Sequence, residues 1–383
     1  MRNFSWQLPS KIYFGNGESK NIVDRVNELG GSKVLLVTDK GLEQIGLPDQ
    51  IKKLLSEASI EVEIFNEVKP DPTVEVVESG VKKAKETKSD ILIGFGGGSS
   101  IDTAKAIGML ITNGGEVSDY WGNPPKNDPL PMIAIPTTAG TGSEVTFVTV
   151  IKDTKKKIKM GVGYSPQMAP NIALCDPELT VSAPSHITAF TGLDALTHAI
   201  EAYTNTKHDP VSDLFALKAI ELIGKYLRLA VANGDNMEAR YYMLLGNLMA
   251  GASFANKLLG VVHAITSPMG GYCDAPHGAV NAILLPYAMK FNYIGNPEKY
   301  ADVAEAMGEN VAGMTDLEAA QQSIEAVHQL SRDVNLPSGL SKVGVKEEDL
   351  EDISKAAISN VNISINPRKP SVEDLIAICK AAM

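Results

Sequence analysis

The chain has 383 residues, too many for one ordinary hydrophobic core, so two domains are the first expectation. Its 44% hydrophobic and 21% charged residues are ordinary for a folded globular protein, and a net charge of -11, from 35 basic against 46 acidic residues, argues against nucleic acid as a partner. No apolar stretch approaches the ~20 residues that span a bilayer, and the start Met1-Arg2-Asn3-Phe4-Ser5-Trp6 has no signal-peptide core.

In chain order, Lys33 to Thr38, Glu61 to Phe65 and Asp90 to Phe95 read as strands. The segments Gly41 to Glu57, Thr73 to Thr87 and Ser100 to Thr112 between them carry apolar residues at helical spacing. Met132 to Pro136, Thr146 to Ile151 and Asn171 to Leu174 add further strands. Near-continuous apolar strands alternating with helices predict a parallel sheet covered on both faces. Lys155-Lys156-Lys157, the nearest thing to a basic patch, reads as a solvated turn. After Pro177 helical patterns dominate: Ile187 to Tyr203, Pro210 to Ala232, Glu238 to Ala255, Thr315 to Asp333, Lys346 to Ser359 and Val372 to Ala382. The boundary is therefore expected near residue 180, with an α/β domain over 1–180 and an all-helical domain over 181–383. Cys175, Cys273 and Cys379 are odd in number and widely spaced, which reads as reduced thiols of a cytoplasmic protein.

Ile91 to Phe95 runs directly into Gly96-Gly97-Gly98-Ser99-Ser100 and then into a helix. Glycines let a backbone approach phosphate closely, and the free N–H groups and dipole of a helix start favour negative charge. A tight turn needing positive φ is the competing reading; three glycines in a row favour phosphate. Asp102, in the first turn, either caps the helix or faces the ligand. The order differs from the G-x-G-x-x-G fingerprint, because the candidate ribose acid, Asp39, precedes the glycines. A second loop, Pro136-Thr137-Thr138-Ala139-Gly140-Thr141-Gly142-Ser143-Glu144, gathers hydroxyls around two glycines and reads as a ligand wall or as a solvated loop.

All six histidines lie at or after residue 186. Asp194 and His198, at i and i+4, leave one helix face, and a helical pattern around His263 is followed by a Gly/Pro-rich loop carrying His277. One acid and three imidazoles without thiolates suit Fe²⁺ or Zn²⁺. Acid–His pairs at this spacing are common and mostly structural, so spacing alone favours a structural or hydrogen-bonded cluster over a metal site. His186, His208 and His328 fall outside these segments and read as surface or capping residues.

Together the segments GGGSSIDTAKA (96–106), PTTAGTGSE (136–144), GLDALTHAIEAY (192–203), GVVHAITSPMGG (260–271), PHG with NAILLPY (276–287) and the tail Asn366-Pro367-Arg368 resemble the iron-containing, or group III, alcohol dehydrogenases. The resemblance covers essentially the whole chain. It implies a dehydroquinate synthase-like fold: an N-terminal α/β dinucleotide-binding domain with a parallel sheet, an all-helical metal-binding domain, and an active site in the cleft between them. It also implies that Asp194, His198, His263 and His277 bind one divalent metal, Fe²⁺ ahead of Zn²⁺. Gly96, Gly97, Gly98 and Ser99 would hold the diphosphate of NAD(H), and Asp39 would select NAD over NADP. Thr137, Thr138, Thr141 and Ser143 would line the cofactor, with Lys159 near the nicotinamide ribose. Asp102, Thr149 and Leu179 complete the expected cofactor contacts, and Phe254 and Val148 the substrate pocket.

One position departs from the family. Most members carry a histidine four residues after the one matching His263, a proposed proton relay; here it is Ser267, followed by Pro268. A hydroxyl passes a proton through water but does not store one near neutral pH, so Ser267 enters the catalytic expectations in a changed role. The implied activity is metal-assisted, NAD-linked interconversion of a small alcohol and its aldehyde by a homodimer or larger homo-oligomer. A zinc polyol (glycerol-type) dehydrogenase of the same fold, and a metal-dependent hydrolase using the glycine loop for phosphate, are the alternatives.

Overall fold

The computed structural model describes residues 3–156, 158–273 and 275–383. Lys157, the last of the lysine run, and Met1 and Arg2 of the N-terminal segment lie outside the described residues. In chain order the first half runs β1 (Lys11–Phe14), α1 (Ile22–Glu28), β2 (Lys33–Asp39), α2 (Lys40–Gln44), α3 (Leu47–Glu57), β3 (Glu61–Val68), α4 (Val74–Thr87), β4 (Ile91–Gly96), α5 (Gly98–Asn113), β5 (Met132–Pro136), β6 (Thr149–Asp153), β7 (Ile158–Val162) and β8 (Ile172–Cys175). The rest is helical: α6 (Ser185–Thr204), α7 (Pro210–Ala232), α8 (Met237–Lys257), α9 (Val261–Met269), α10 (His277–Asn292), α11 (Pro297–Ala306), α12 (Asp316–Asp333), α13 (Leu350–Ala357) and α14 (Val372–Ala381).

Two compact units result. One comprises Gln7–Thr138 and Gly142–Ser182; the other comprises Ala139–Thr141, Ala183–Met383 and the segment ending at Trp6. In the first, six strands form a sheet in the order β1-β8-β5-β4-β2-β3, every pair parallel. Side chains alternate across a strand, so a strand buried on both faces needs apolar residues at every position. In β2, Val34 and Leu36 enter one apolar cluster with Ile22, Ile51 and Leu55 of α1 and α3. Leu35 and Val37 enter another with Val77, Ile101 and Ile107 of α4 and α5. This is the predicted parallel sheet. From β2 the chain passes outward to β3, whereas from β4 it passes the other way to β5. The crevice outside the carboxyl ends of β2 and β4 is therefore a topological switch point, where open α/β sheets bind ligands.

In the helical unit α6 is buried almost throughout from Thr188 to Thr204 and packs on α7, α8 and α10. Among the described residues no single helix is long and apolar enough to cross a membrane.

Several element expectations change. The helix read over 41–57 is two helices, broken at Gly46, whose φ of 75° lies in the left-handed region glycine favours. The strand read from Thr146 begins only at Thr149 and pairs antiparallel with β7, outside the main sheet. Strands β1 and β7 and helices α1, α10 and α11 were not expected. The helix read from Lys346 is a 3₁₀ turn over Glu347–Asp349 followed by α13.

Candidate metal centre and phosphate loop

Helix α6 carries Asp194, His198 and Glu201 at i, i+4 and i+7, hence on one stripe. Asp194 is 3% and His198 6% exposed. His263 lies in the first turn of α9 and His277 is the first residue of α10, set there by Pro276 at the cap. The fold brings ligand atoms of Asp194, His263 and His277 to within 4.8 Å of one another. His198 joins through Asp194: its Nε2 is 4.0 Å from Asp194 Oδ1, the same distance as His263 Nε2. A gap of 4.0 Å is too long for a hydrogen bond, but it is within twice the ~2.0–2.2 Å of a metal–ligand bond.

The imidazoles are oriented for this. His198 Nδ1 lies 3.1 Å from the Gly140 carbonyl, which can only accept, so the proton sits on Nδ1 and the Nε2 lone pair faces Asp194. His263 Nδ1 donates to Glu201 Oε2 at 2.6 Å, with the same consequence. The His198 ring stacks between Phe254, at 4.5 Å between centroids, and His263, at 4.7 Å. Burial pushes the His198 pKa down to about 4 against the pull of Asp194, leaving a neutral ligand near neutral pH. Burial acts to raise the Asp194 pKa, but His198, His277, His263 and the Asn281 amide together outweigh it and hold the carboxyl below its usual range.

Asn281 tests what the cluster suits. Its Nδ2 lies 2.7 Å from Asp194 Oδ1 and 3.0 Å from both His263 Nε2 and His277 Nε2, while its Oδ1 is buried without a partner. Three acceptors converge on a group with two hydrogens. A point ringed by a carboxylate oxygen and imidazole lone pairs calls for positive charge, and this donor set suits Fe²⁺ or Zn²⁺.

The α/β unit carries the glycine turn. Helix α5 opens at Gly98 with Gly97 as its N-cap and no side-chain cap, so no side chain competes for the first N–H groups. Gly96 has φ 146°, and a Cβ there would stand 2.7 Å from Ser100 Oγ. A Cβ on Gly97 would stand 3.3 Å from Thr138 Oγ1, so the loop after β5 closes on the turn. Ser99 is half-buried, and Thr137 is buried with its N–H on the Gly96 carbonyl at 3.0 Å. Asp39, at the end of β2, caps α2 through Oδ1, which accepts from Gly41 N at 2.8 Å and Leu42 N at 3.0 Å and leaves Oδ2 outside the cap.

Other expected cofactor residues are engaged internally. Asp102 accepts from Ser143 Oγ and, at 2.8 Å, from Val150 N, and Thr149 Oγ1 donates to the Asp102 carbonyl at 2.8 Å. Lys105, 2% exposed, donates to Ser143 Oγ and to the carbonyls of Thr146 and Val148. Lys159 pairs with Asp71 at 2.6 Å, and Leu179 packs into the cluster beneath β4 and β5. Thr138, Thr141, Val148, Phe254 and Ser267 are half-buried, Ser267 one turn beyond His263 on α9. Of the remaining histidines, His186 and His208 are exposed and His328 lies edge-on to Tyr287.

Sequence reasoning missed Glu201 and Asn281. Each is a polar residue in an apolar helical run, one turn from an expected ligand and on its stripe, and that combination is the signal that could have found them.

Comparison with known proteins gives the chain a setting. The family described as iron-containing alcohol dehydrogenase matches residues 9–177, and that described as Fe-containing alcohol dehydrogenase family, C-terminal, matches 188–383. The chain is 42% identical to the NAD-dependent methanol dehydrogenase of Bacillus methanolicus over 384 residues, covering 100% of both. It is also 42% identical to the 1,3-propanediol dehydrogenase of Klebsiella pneumoniae, covering 100% of this chain and 99% of that one. A crystal structure of a 1,3-propanediol oxidoreductase superposes with a TM-score of 0.97 at 42% identity, over 100% of both chains.

Proposed function

This chain belongs to the iron-containing alcohol dehydrogenase family, and we propose on that premise that it interconverts a small primary alcohol and its aldehyde with NAD(H). The observation that carries the reading is the convergence of Asp194, His263 and His277 on one point, with His198 against Asp194. When bound, a divalent cation, Fe²⁺ or Zn²⁺, supplies Lewis acidity toward the alcohol or carbonyl oxygen, and the nicotinamide exchanges the hydride. Asp194, His198, His263 and His277 are the residues that would hold the cation. Gly140 and Glu201 keep two imidazoles in the tautomer that ligation requires. Phe254 covers one face of His198 and holds water off that ring.

The backbone N–H groups at Gly97, Gly98 and Ser99 present the start of α5 to a diphosphate, and Asp39 Oδ2 is left for a ribose hydroxyl. Ser267 offers a hydroxyl one turn from His263, able to pass a proton to water. Methanol and 1,3-propanediol, named for two of the relatives, support a short primary alcohol as the substrate. The three free thiols, two of them buried, support a reducing, cytoplasmic compartment.

Anaerobic purification with metal analysis, followed by NADH oxidation against a panel of small aldehydes, tests the proposal. One bound metal and loss of nicotinamide absorbance with at least one short aldehyde is the expected result. Hydrolysis of a phosphate ester without any nicotinamide change would replace it with a hydrolase.

Asp39 has its own test. Asp39→Asn keeps the Oδ1 that caps α2 and removes the charge that would repel a 2′-phosphate. The kcat/KM ratio of NAD to NADP should fall about tenfold, equivalent to ~1.4 kcal/mol. An unchanged ratio would assign Asp39 to the cap alone.

A further inference from the structure

We propose that Glu201 and Asn366 form a clasp on the start of α9 that fixes the position and tautomer of His263. The inference rests on reading Asp194, His198, His263 and His277 as the metal ligands, and it gives the tail motif a task.

The first N–H groups of a helix have no partner inside it. At α9 the usual solution is absent, because the N-cap is Gly260, which has no side chain. Nor could it carry one: a Cβ there would stand 2.8 Å from Glu201 Oε1 and 3.2 Å from Asn366 Oδ1. The caps come from other elements. Val261 N donates to Asn366 Oδ1 at 3.1 Å, Val262 N to Glu201 Oε1 at 2.6 Å, and His263 N to Glu201 Oε2 at 3.4 Å. The three leading donors of α9 are thus satisfied by two side chains. A carboxylate there also gains from the positive end of the helix dipole.

Glu201 does more than cap. The oxygen that takes the His263 backbone N–H also takes its Nδ1–H, at 2.6 Å. Ring and backbone of one residue are tied to a single atom of α6, the helix that carries Asp194 and His198. The Nε2 lone pair of His263 therefore faces Asp194 whenever the clasp is closed. Asn366 is itself locked, exchanging two hydrogen bonds with Asn292 at the end of α10 and donating to the Arg368 carbonyl. The clasp so joins α6, α9, the end of α10 and the tail, and sets the angle at which α9 presents its ligand. Glu201 is a positioning residue; outer carboxylates of this kind tune a metal by orienting its histidine.

The test uses the full chain loaded with Zn²⁺ or Co²⁺. Glu201→Gln keeps the shape but has one accepting oxygen, so either the His263 Nδ1–H or the Val262 N–H faces an amide NH₂. Its affinity for Zn²⁺ in chelator competition should fall about 10–100-fold, the visible absorption bands of the Co²⁺ form should shift, and NADH binding should be unchanged. Wild-type affinity with unshifted Co²⁺ bands would overturn the clasp. A second measurement needs no variant: the zinc-loaded wild-type protein should show a far-downfield proton resonance from an imidazole N–H held by a carboxylate. Its absence would also overturn the proposal. His277→Ala separates the two levels of the argument, because His277 lies outside the clasp. Should His277→Ala bind Zn²⁺ as tightly as wild type, or wild type bind none, the metal reading itself fails and the clasp falls with it.

Discussion

His263→Ala is expected to remove the metal and reduce kcat/KM by a factor of about a thousand or more while leaving NADH binding intact. The magnitude follows from the cation's role: Lewis-acid stabilisation of a developing oxyanion contributes several kcal/mol, and each ~1.4 kcal/mol is tenfold in rate. The selectivity follows from the fold. Asp39 and the glycine turn at 96–98 belong to the α/β unit, whereas His263 belongs to the helical one, so the substitution leaves the residues proposed to bind the nucleotide in place. Some destabilisation accompanies it, because the buried Glu201 carboxylate loses its imidazole and keeps only the Val262 and His263 N–H groups. That loss is on the order of 1–3 kcal/mol, and a melting curve of the metal-free protein separates it from the catalytic effect. Metal analysis, aldehyde-dependent NADH oxidation and NADH fluorescence titration check the three parts. Retained metal with retained turnover would remove His263 from the ligand set.

Legibility tracked how strongly burial patterned the sequence. β2 and β4 are apolar at nearly every position because both faces are covered, and they were readable as strands of a parallel sheet from that alone. β1 pairs only with β8 at the sheet edge and is largely half-exposed, so four residues of KIYF left no run to detect. Helix α10 failed for the opposite reason: buried on most sides, AVNAILLPYAM has no polar face and hence no helical period. Pro276 sits at the cap and Pro286 is accommodated inside the helix. At the site, Asp194 and His198 were legible as a pair because one helix holds both. His263 and His277 come from two other helices, and no spacing rule reaches across them; residue chemistry alone made the four a weak grouping, and the family resemblance strengthened it. Glu201 went unread because a glutamate at the end of an apolar helix ordinarily faces solvent, and its partner is the start of α9, sixty residues further on.

Lys105→Met is expected to destabilise the α/β unit by about 3–5 kcal/mol, the cost of leaving a buried charge without its partner. Lys105 Nζ stands 3.8 Å from Asp102 and is hydrogen-bonded to Ser143, Thr146 and Val148, and Glu144 beside it is 1% exposed. This ammonium, together with Asp102, thus holds the segment 143–148 against α5. Burial lowers its pKa to about 8 against the pull of Asp102 and Glu144, and burial raises the Glu144 pKa to about 7, opposed by its own backbone N–H and by Lys105. The deficit should therefore depend on pH. A carboxyl whose folded pKa lies above its unfolded value makes the folded state bind more protons, so stability falls as pH rises through the folded value. Removing Lys105 takes away a group that favours ionised Glu144 and pushes that pKa higher. The variant should consequently lose stability relative to wild type as pH rises above about 7, where Glu144 ionises in the wild type, and chemical denaturation on both sides of that pH would read it out. Adding Asp102→Asn should recover part of the loss, since the pair is coupled. A small, pH-independent deficit would mean that neither the charge of Lys105 nor its hydrogen bonds fasten this segment to α5, leaving that task to the contacts of Asp102 with Ser143 and Val150.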